Sequence, residues 1–185
     1  MSANSLVELM EKAKEEYYQT NSKNTFFKNS QKLNCAKKLN ETFDINQMIQ
    51  QTIFRIGNTN KVLFNYSVFK LYAHPSNYER IIETVIRTYN SILEEYPDFE
   101  AHVILEGFTI SATERYKEAI QLFYNKCMSS HTKYSILTKA MYIYYTPSMI
   151  EQISMLLRPF IEPTVYERIV MFSKEESAQR LQGLS

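Results

Sequence analysis

Apolar residues recur at helical spacing through much of this chain, and the breaks in that spacing divide it into elements. From 5 to 18, Leu6, Leu9, Met10, Ala13 and Tyr17 share one side of a 3.6-residue repeat with charges between them, which predicts an amphipathic helix. The repeat fades over 17–40. That stretch is rich in Asn, Ser, Thr and Gln, and carries Lys23, Lys28, Lys32, Lys37 and Lys38 with no acid. It reads as a solvated linker or partly ordered helical arm; the alternative is a weak, salt-sensitive basic contact for an anionic surface. A second helix is expected over 44–56, capped by Asp44, with Ile45, Met48, Ile49 and Ile53 inward and Gly57 as its stop.

From Lys61 the pattern changes to strands alternating with helices. "KVLFNY" at 61–66 is a short β-forming run. After the His74-Pro75 break, Ser76 and Glu79 have capping-box spacing, and the helix they open carries Ile81, Ile82, Val85, Ile86, Tyr89, Ile92, Leu93 and Tyr96 on one face. "HVILEGFT" at 102–109 is the second strand. Ser111 and Glu114 form another capping-box pair, before a helix burying Tyr116, Ala119, Ile120, Phe123, Tyr124 and Cys127. "KAMYIYYT" at 139–146 is nearly all apolar, as a strand covered on both faces would be. Pro147 suits the first turn of a helix, with Thr146 as N-cap or Ser148 and Glu151 as a competing box. Along that helix Ile150, Ile153, Leu156, Leu157 and Phe160 make a stripe, widened by Met149 and Met155. A turn after Pro163 leads to a fourth strand, "RIVMFS" at 168–173, and a polar tail that starts helical. This order predicts an α/β fold, a mostly parallel sheet with flanking helices, over 59–185, preceded by a helical and basic arm over 1–58.

Composition narrows the function classes. At 185 residues the chain is long enough to bury a core without disulfides. Its net charge of +1 provides no global field to select nucleic acid. Three glycines leave no room for a glycine-rich phosphate loop. The charged N-terminus and the absence of a membrane-length apolar run predict a cytoplasmic protein, peripheral at membranes if it meets them, with Cys35 and Cys127 as free thiols. Cys127 and His131 lie four apart but have no third ligand nearby, so no metal or cofactor is expected. Ser111 lacks a nucleophile elbow and is better explained as a cap. No catalytic constellation is evident, so a non-enzyme is expected; were it an enzyme, His102, Glu106 and Tyr144 would be the first residues to test.

The run "YIYYTPSMIEQISMLLRPFIEPTVYERI" resembles the signature end of the CRAL-TRIO lipid-binding domain family. That family follows a central strand with a proline, an amphipathic gate helix, a basic-Pro-Phe-hydrophobic-acid-Pro segment, then a basic residue and Ile entering the last strand. Pro147, the helix after it, "RPFIEP" and Arg168-Ile169 hold those places here, and the upstream order of elements fits across 61–173. The resemblance, to a minimal and divergent member, implies a bowl whose sheet is the floor of an apolar pocket for a lipid or other hydrophobic molecule. It makes Met149, Ile150, Ile153, Leu156, Leu157 and Phe160 the gate, and Val103, Leu105, Met141, Ile143 and Tyr145 alternate floor positions whose inward parity the sequence leaves open. It also implies transient membrane contact. Arg168 matches a headgroup-contacting basic residue, but Ile136 and Val165 stand where phosphoinositide-binding members have Glu and Thr; a surface ion pair with Glu162 or Glu167 is the other reading of Arg168. The alternative function is a protein-interaction module on the same fold, its bowl filled by Tyr and Phe, with a small GTPase or scaffold as partner.

Overall fold

The computed structural model describes residues 3–23 and 26–184. Residues 1, 2, 24 and 25 of the expected N-terminal arm and the last residue of the α/β segment lie outside the described residues. Three helices come first: α1 (Ala3–Thr20), α2 (Lys28–Thr42) and α3 (Ile45–Thr52). A hairpin of β1 (Ile53–Arg55) and β2 (Lys61–Asn65) runs into α4 (Tyr66–Tyr72) and α5 (Tyr78–Leu93). Then follow β3 (Phe99–Ile104), α6 (Ile110–Arg115), α7 (Lys117–Ser129), α8 (Tyr134–Leu137) and β4 (Thr138–Tyr144). The last part is α9 (Ile150–Leu157), α10 (Pro163–Tyr166), β5 (Ile169–Met171) and α11 (Lys174–Gln182).

The strands form one sheet in the order β1-β2-β3-β4-β5, so the α/β class expected from the alternation is present. β1 pairs antiparallel with β2, and every later neighbour is parallel. The register aligns Phe64, Val103, Ile143 and Met171 in one row across the sheet, and Leu63, His102, Tyr142 and Val170 in the next. Alternate rows face opposite sides, so the two faces differ in chemistry.

Two elements depart from the periodicity. The helix expected over 44–56 stops at Thr52, and Ile53–Arg55 become β1. Gly57, read as a helix stop, instead sits in the hairpin turn with φ +51, a backbone setting that suits a residue without a Cβ. The stretch 66–72 becomes α4, capped by the Asn65 side chain on the Ser67 N–H; five of its seven residues are buried, and only Ser67 and Lys70, three apart, leave it a narrow polar side.

The stretch 17–40, read as a solvated linker or partly ordered helical arm, is helical over most of its length. Its second half is α2, whose Cys35, Ala36 and Leu39 are buried. Cys35 and Leu39 join Leu6, Met10, Met48 and Ile49 in the same apolar core as Val62, Phe69 and Tyr72, so the N-terminal helices pack into the body that holds the sheet. Polar groups pin this junction. Asn40 Nδ2 donates to the Tyr72 carbonyl at 2.7 Å, Asn77 Nδ2 donates to the same carbonyl and to Asn40 Oδ1, each at 3.0 Å, and Thr52 Oγ1 and Tyr72 OH share a buried 2.8 Å hydrogen bond.

Several caps differ from those expected. His74 and Asn77, not Ser76 and Glu79, close the box before α5. Thr109, not Ser111, caps α6 through the Ala112 N–H. Neither Thr146 nor Ser148 caps α9: the chain turns through Pro147–Met149, and the buried Thr146 Oγ1 has no hydrogen-bond partner.

Candidate functional site

Between the sheet and α9 lies a cavity of about 310 Å³. Its floor comes from the row set facing the helices: Phe64 of β2, Val103 of β3, Met141 and Ile143 of β4, Ile169 and Met171 of β5, with Leu105 just beyond β3. α5 supplies Ile81, Ile82, Val85 and Tyr89, and α7 supplies Ala119, Ile120 and Phe123. α9 and the segment after it close the space with Ile150, Ile153, Ser154, Leu157, Phe160 and Ile161. Apart from Ser154 and the tyrosine hydroxyls, every group named here is apolar.

The sequence-predicted residues divide cleanly. Ile150, Ile153, Leu157 and Phe160 of the gate, and Val103, Leu105, Met141 and Ile143 of the floor, are brought together around the cavity. Met149 and Leu156 are not: they stand 47% and 41% exposed on the outer side of α9, beside Met155 at 68%. Tyr145 does not reach the cavity either. β4 ends at Tyr144, and Tyr145 turns through φ +54 while its N–H donates to Ser177 Oγ of α11 at 2.7 Å. A tyrosine in the left-handed region is strained, and here the strain falls where the chain leaves the floor for the gate. The walls from Tyr166 of α10 and from Ile169 and Met171 of β5 were absent from the predicted set, although the strand was recognised.

Aromatic clusters pack at two sides of the cavity without closing it. Tyr66, Phe69, Phe108 and Tyr116 meet edge to face or tilted, with centroids 4.8–6.4 Å apart. Tyr89 stacks on Phe99 at 4.5 Å and lies 6.4 Å from Phe123. About 310 Å³ is left. An apolar cavity of about 150 Å³ is enough to hold a benzene-sized molecule, and small-molecule pockets begin near 300 Å³.

Arg168 lies at the start of β5. Its Nη1 donates to the carbonyls of Ser135 at 3.2 Å, Ile136 at 3.1 Å and Thr138 at 2.6 Å. It thus meets Ile136, through that residue's backbone carbonyl, and it ties α8 to the last strand. No ion pair joins it to Glu162 or Glu167 among the described residues.

The opposite face of the sheet carries a separate cleft of about 590 Å³ under α11, lined by His102, Tyr142, Tyr144, Phe172 and Arg180 among others. His102 Nδ1 and Tyr144 OH share a 2.8 Å hydrogen bond. His102 Nε2 is buried without a hydrogen-bond partner, 3.8 Å from Glu100 Oε2. Burial drives the imidazole down to about 4 against the opposing pull of Glu100. Burial likewise pushes the Tyr144 phenol up to about 12. Both groups are therefore neutral at neutral pH. Glu106, the third residue singled out with them, is not in this cleft. Burial also pushes the Cys127 thiol up to about 12, where it packs against the core. Among the described residues no three His, Cys, Asp or Glu side chains are grouped to hold a metal, and no helix is long and apolar enough to cross a membrane.

No protein-family model matches the chain, and no curated protein matches it in sequence.

Proposed function

We propose that this protein binds a hydrophobic ligand, a lipid in the first instance, in the cavity between the sheet and α9, in the manner of the CRAL-TRIO domains its C-terminal run resembles. The observation that carries the reading is the cavity itself: an apolar space of about 310 Å³, floored by alternate residues of four strands and closed by one short helix between two proline-marked breaks. Each methylene sheltered there gains about 0.8 kcal/mol. α9 is apolar on its outer side as well, at Met149, Met155 and Leu156, which suits a gate that swings against a membrane to collect its ligand. The strained turn at Tyr145 lies at the foot of that gate. In this reading Ile150, Ile153, Leu157 and Phe160 hold the ligand in, and Met149 and Leu156 face the membrane.

The test is mass spectrometry of an organic extract of the protein purified without detergent and incubated with mixed liposomes. A stoichiometric hydrophobe is expected. Leu157→Trp, which fills the cavity from the gate, should lose it, while Leu156→Trp, on the outer side, should keep it. An empty extract, or equal loss in both folded variants, would overturn the reading and direct attention to a protein partner.

A further inference from the structure

A cleft of about 1060 Å³, larger than the two spaces described above, is a different site, set between the N-terminal helices and the body. α1, the first turns of α2, α4 and the loop before α6 supply its walls. Six of its side chains are basic, Lys14, Lys23, Lys28, Lys32, Lys70 and Arg115, and one, Glu15, is acidic. The whole chain has a net charge of only +1, so this concentration is local.

Three of these cations already have protein partners, Lys70 among them through its ammonium 5.7 Å from the Tyr66 ring centroid. Lys14 is paired with Glu11. Arg115 donates to Asn29 Oδ1 from Nε at 3.1 Å and from Nη2 at 3.0 Å, and its guanidinium lies 5.3 Å from the Tyr116 ring centroid. Lys28, Lys32 and Lys70 have no carboxylate in ion-pair reach among the described residues. Burial, then the charges of Arg115, Lys28 and Lys70, push Lys32 down to about 8. Lys70 is lowered too, by burial and then by Lys14, against the opposing pull of Glu11 and Glu106. Ammonium groups crowded and desolvated in this way raise the free energy of the unliganded protein, and a multivalent anion would relieve that cost.

The backbone is shaped around them. Gly107 has φ +72, a conformation that favours glycine, and a Cβ there would lie 3.3 Å from Lys70 Nζ, so the loop backbone comes close to this ammonium. α2 has no side-chain cap and no acid in its first turn, so its positive end, at Lys28, Gln31 and Lys32, adds to the field in the cleft.

We propose that this cleft binds a small polyphosphate anion, one carrying two or more phosphate groups, either free in solution or as the headgroup of a lipid. A single phosphate would engage one or two ammonium groups; cations spread across α1, α2, α4 and α6 call for several anionic centres. The site is independent of the hydrophobic-ligand reading, although Tyr66 lines both spaces.

Calorimetric titration of the full chain with inorganic tripolyphosphate tests it. One ion should bind per protein, with affinity falling steeply as salt rises. Lys32→Gln with Lys70→Gln should weaken binding about a hundredfold or more, since charge-assisted hydrogen bonds are the strong ones. Lys37→Gln with Lys38→Gln makes the same charge change on exposed residues of α2 outside the cleft and should weaken it no more than about threefold. Binding at pH 8.5 should take up protons, as Lys32 is recharged; circular dichroism checks that each variant is folded. Vesicles of phosphatidylcholine, with and without phosphatidylinositol bisphosphate, separate the two sources. Capture by the bisphosphate vesicles, competed by tripolyphosphate, identifies a headgroup site; tripolyphosphate binding without capture identifies a soluble ligand. Absence of binding to both, or equal weakening by the two double variants, would overturn the proposal.

Discussion

Acid should destabilise this protein through His102 more than through any surface group, and the amount can be worked out. His102 is 3% exposed, and its folded-state pKa is about 4 against 6.5 for the ordinary imidazole. Between those values the unfolded chain binds a proton that the folded chain does not. Stability therefore rises with pH through the window and is lost as pH falls from 6.5 towards 4. With 1.36 kcal/mol per pKa unit, the loss relative to pH 7 or above is about 2 kcal/mol at pH 5 and about 3 kcal/mol at pH 4. Carboxylates elsewhere also respond to acid, so the useful quantity is a difference between two proteins. His102→Phe keeps a planar ring of similar size and removes the proton site. It leaves Tyr144 OH without its partner, which costs about 1–3 kcal/mol at every pH and so drops out of the slope. Urea unfolding at pH 7, 6, 5 and 4 should show wild type converging on the variant by about 3 kcal/mol, with an unchanged m-value. Parallel pH profiles would refute the reasoning; they would mean that protonated His102 closes on Glu100 and recovers its desolvation cost.

Three further outcomes follow from buried or crowded polar groups. Thr52→Val strands the hydroxyl of the fully buried Tyr72 and should cost about 1–3 kcal/mol by urea unfolding, much of which Tyr72→Phe should restore in the double variant, because two apolar groups need no partner. Ser177→Ala removes the acceptor of the Tyr145 N–H at the foot of the gate and should cost a similar amount, read as a lowered Tm together with faster amide exchange at Tyr145. Lys32→Gln should raise Tm at pH 7: the folded-state pKa of about 8 lies below the unfolded 10.5, so wild type gains stability as pH rises between them and the advantage of the variant should vanish above about pH 10.5.

The sheet and the gate were legible because β-branched and aromatic runs bounded by Pro and Asn announce themselves locally. Ile150, Ile153 and Leu157 fell on the predicted face for the same reason. Leu156 did not, because α9 is apolar on both sides and periodicity alone cannot choose between adjacent leucines. Strand parity was hidden by the same uniformity: "MYIYY" looks apolar on either face until its neighbours place Ile143 over the cavity and Tyr144 beside His102. β1 was masked because Ile53 continues the repeat of α3, and only pairing with Phe64 makes it a strand. α2 was masked by its lysines and asparagines, which hide three inward residues. Lys23, Lys28 and Lys32 were legible as a basic stretch, but the cleft was not, since Lys14, Lys70 and Arg115 join them from helices elsewhere in the chain.

The strand order has a kinetic consequence. Each strand pairs with the strand before it in sequence, so no pairing has to skip over a strand not yet placed. The β1–β2 hairpin can close first, on the microsecond scale of such hairpins, and each later strand can add to an edge already formed. Loop-closure entropy is then met in instalments rather than at one late step, but each parallel pairing still closes a helical crossover, such as the one that brings Glu100 beside Lys61, so these later steps are long-range and slower than the hairpin. The same order suits synthesis on the ribosome, where the sheet can grow in the direction in which the chain emerges and always presents one open edge to the next strand.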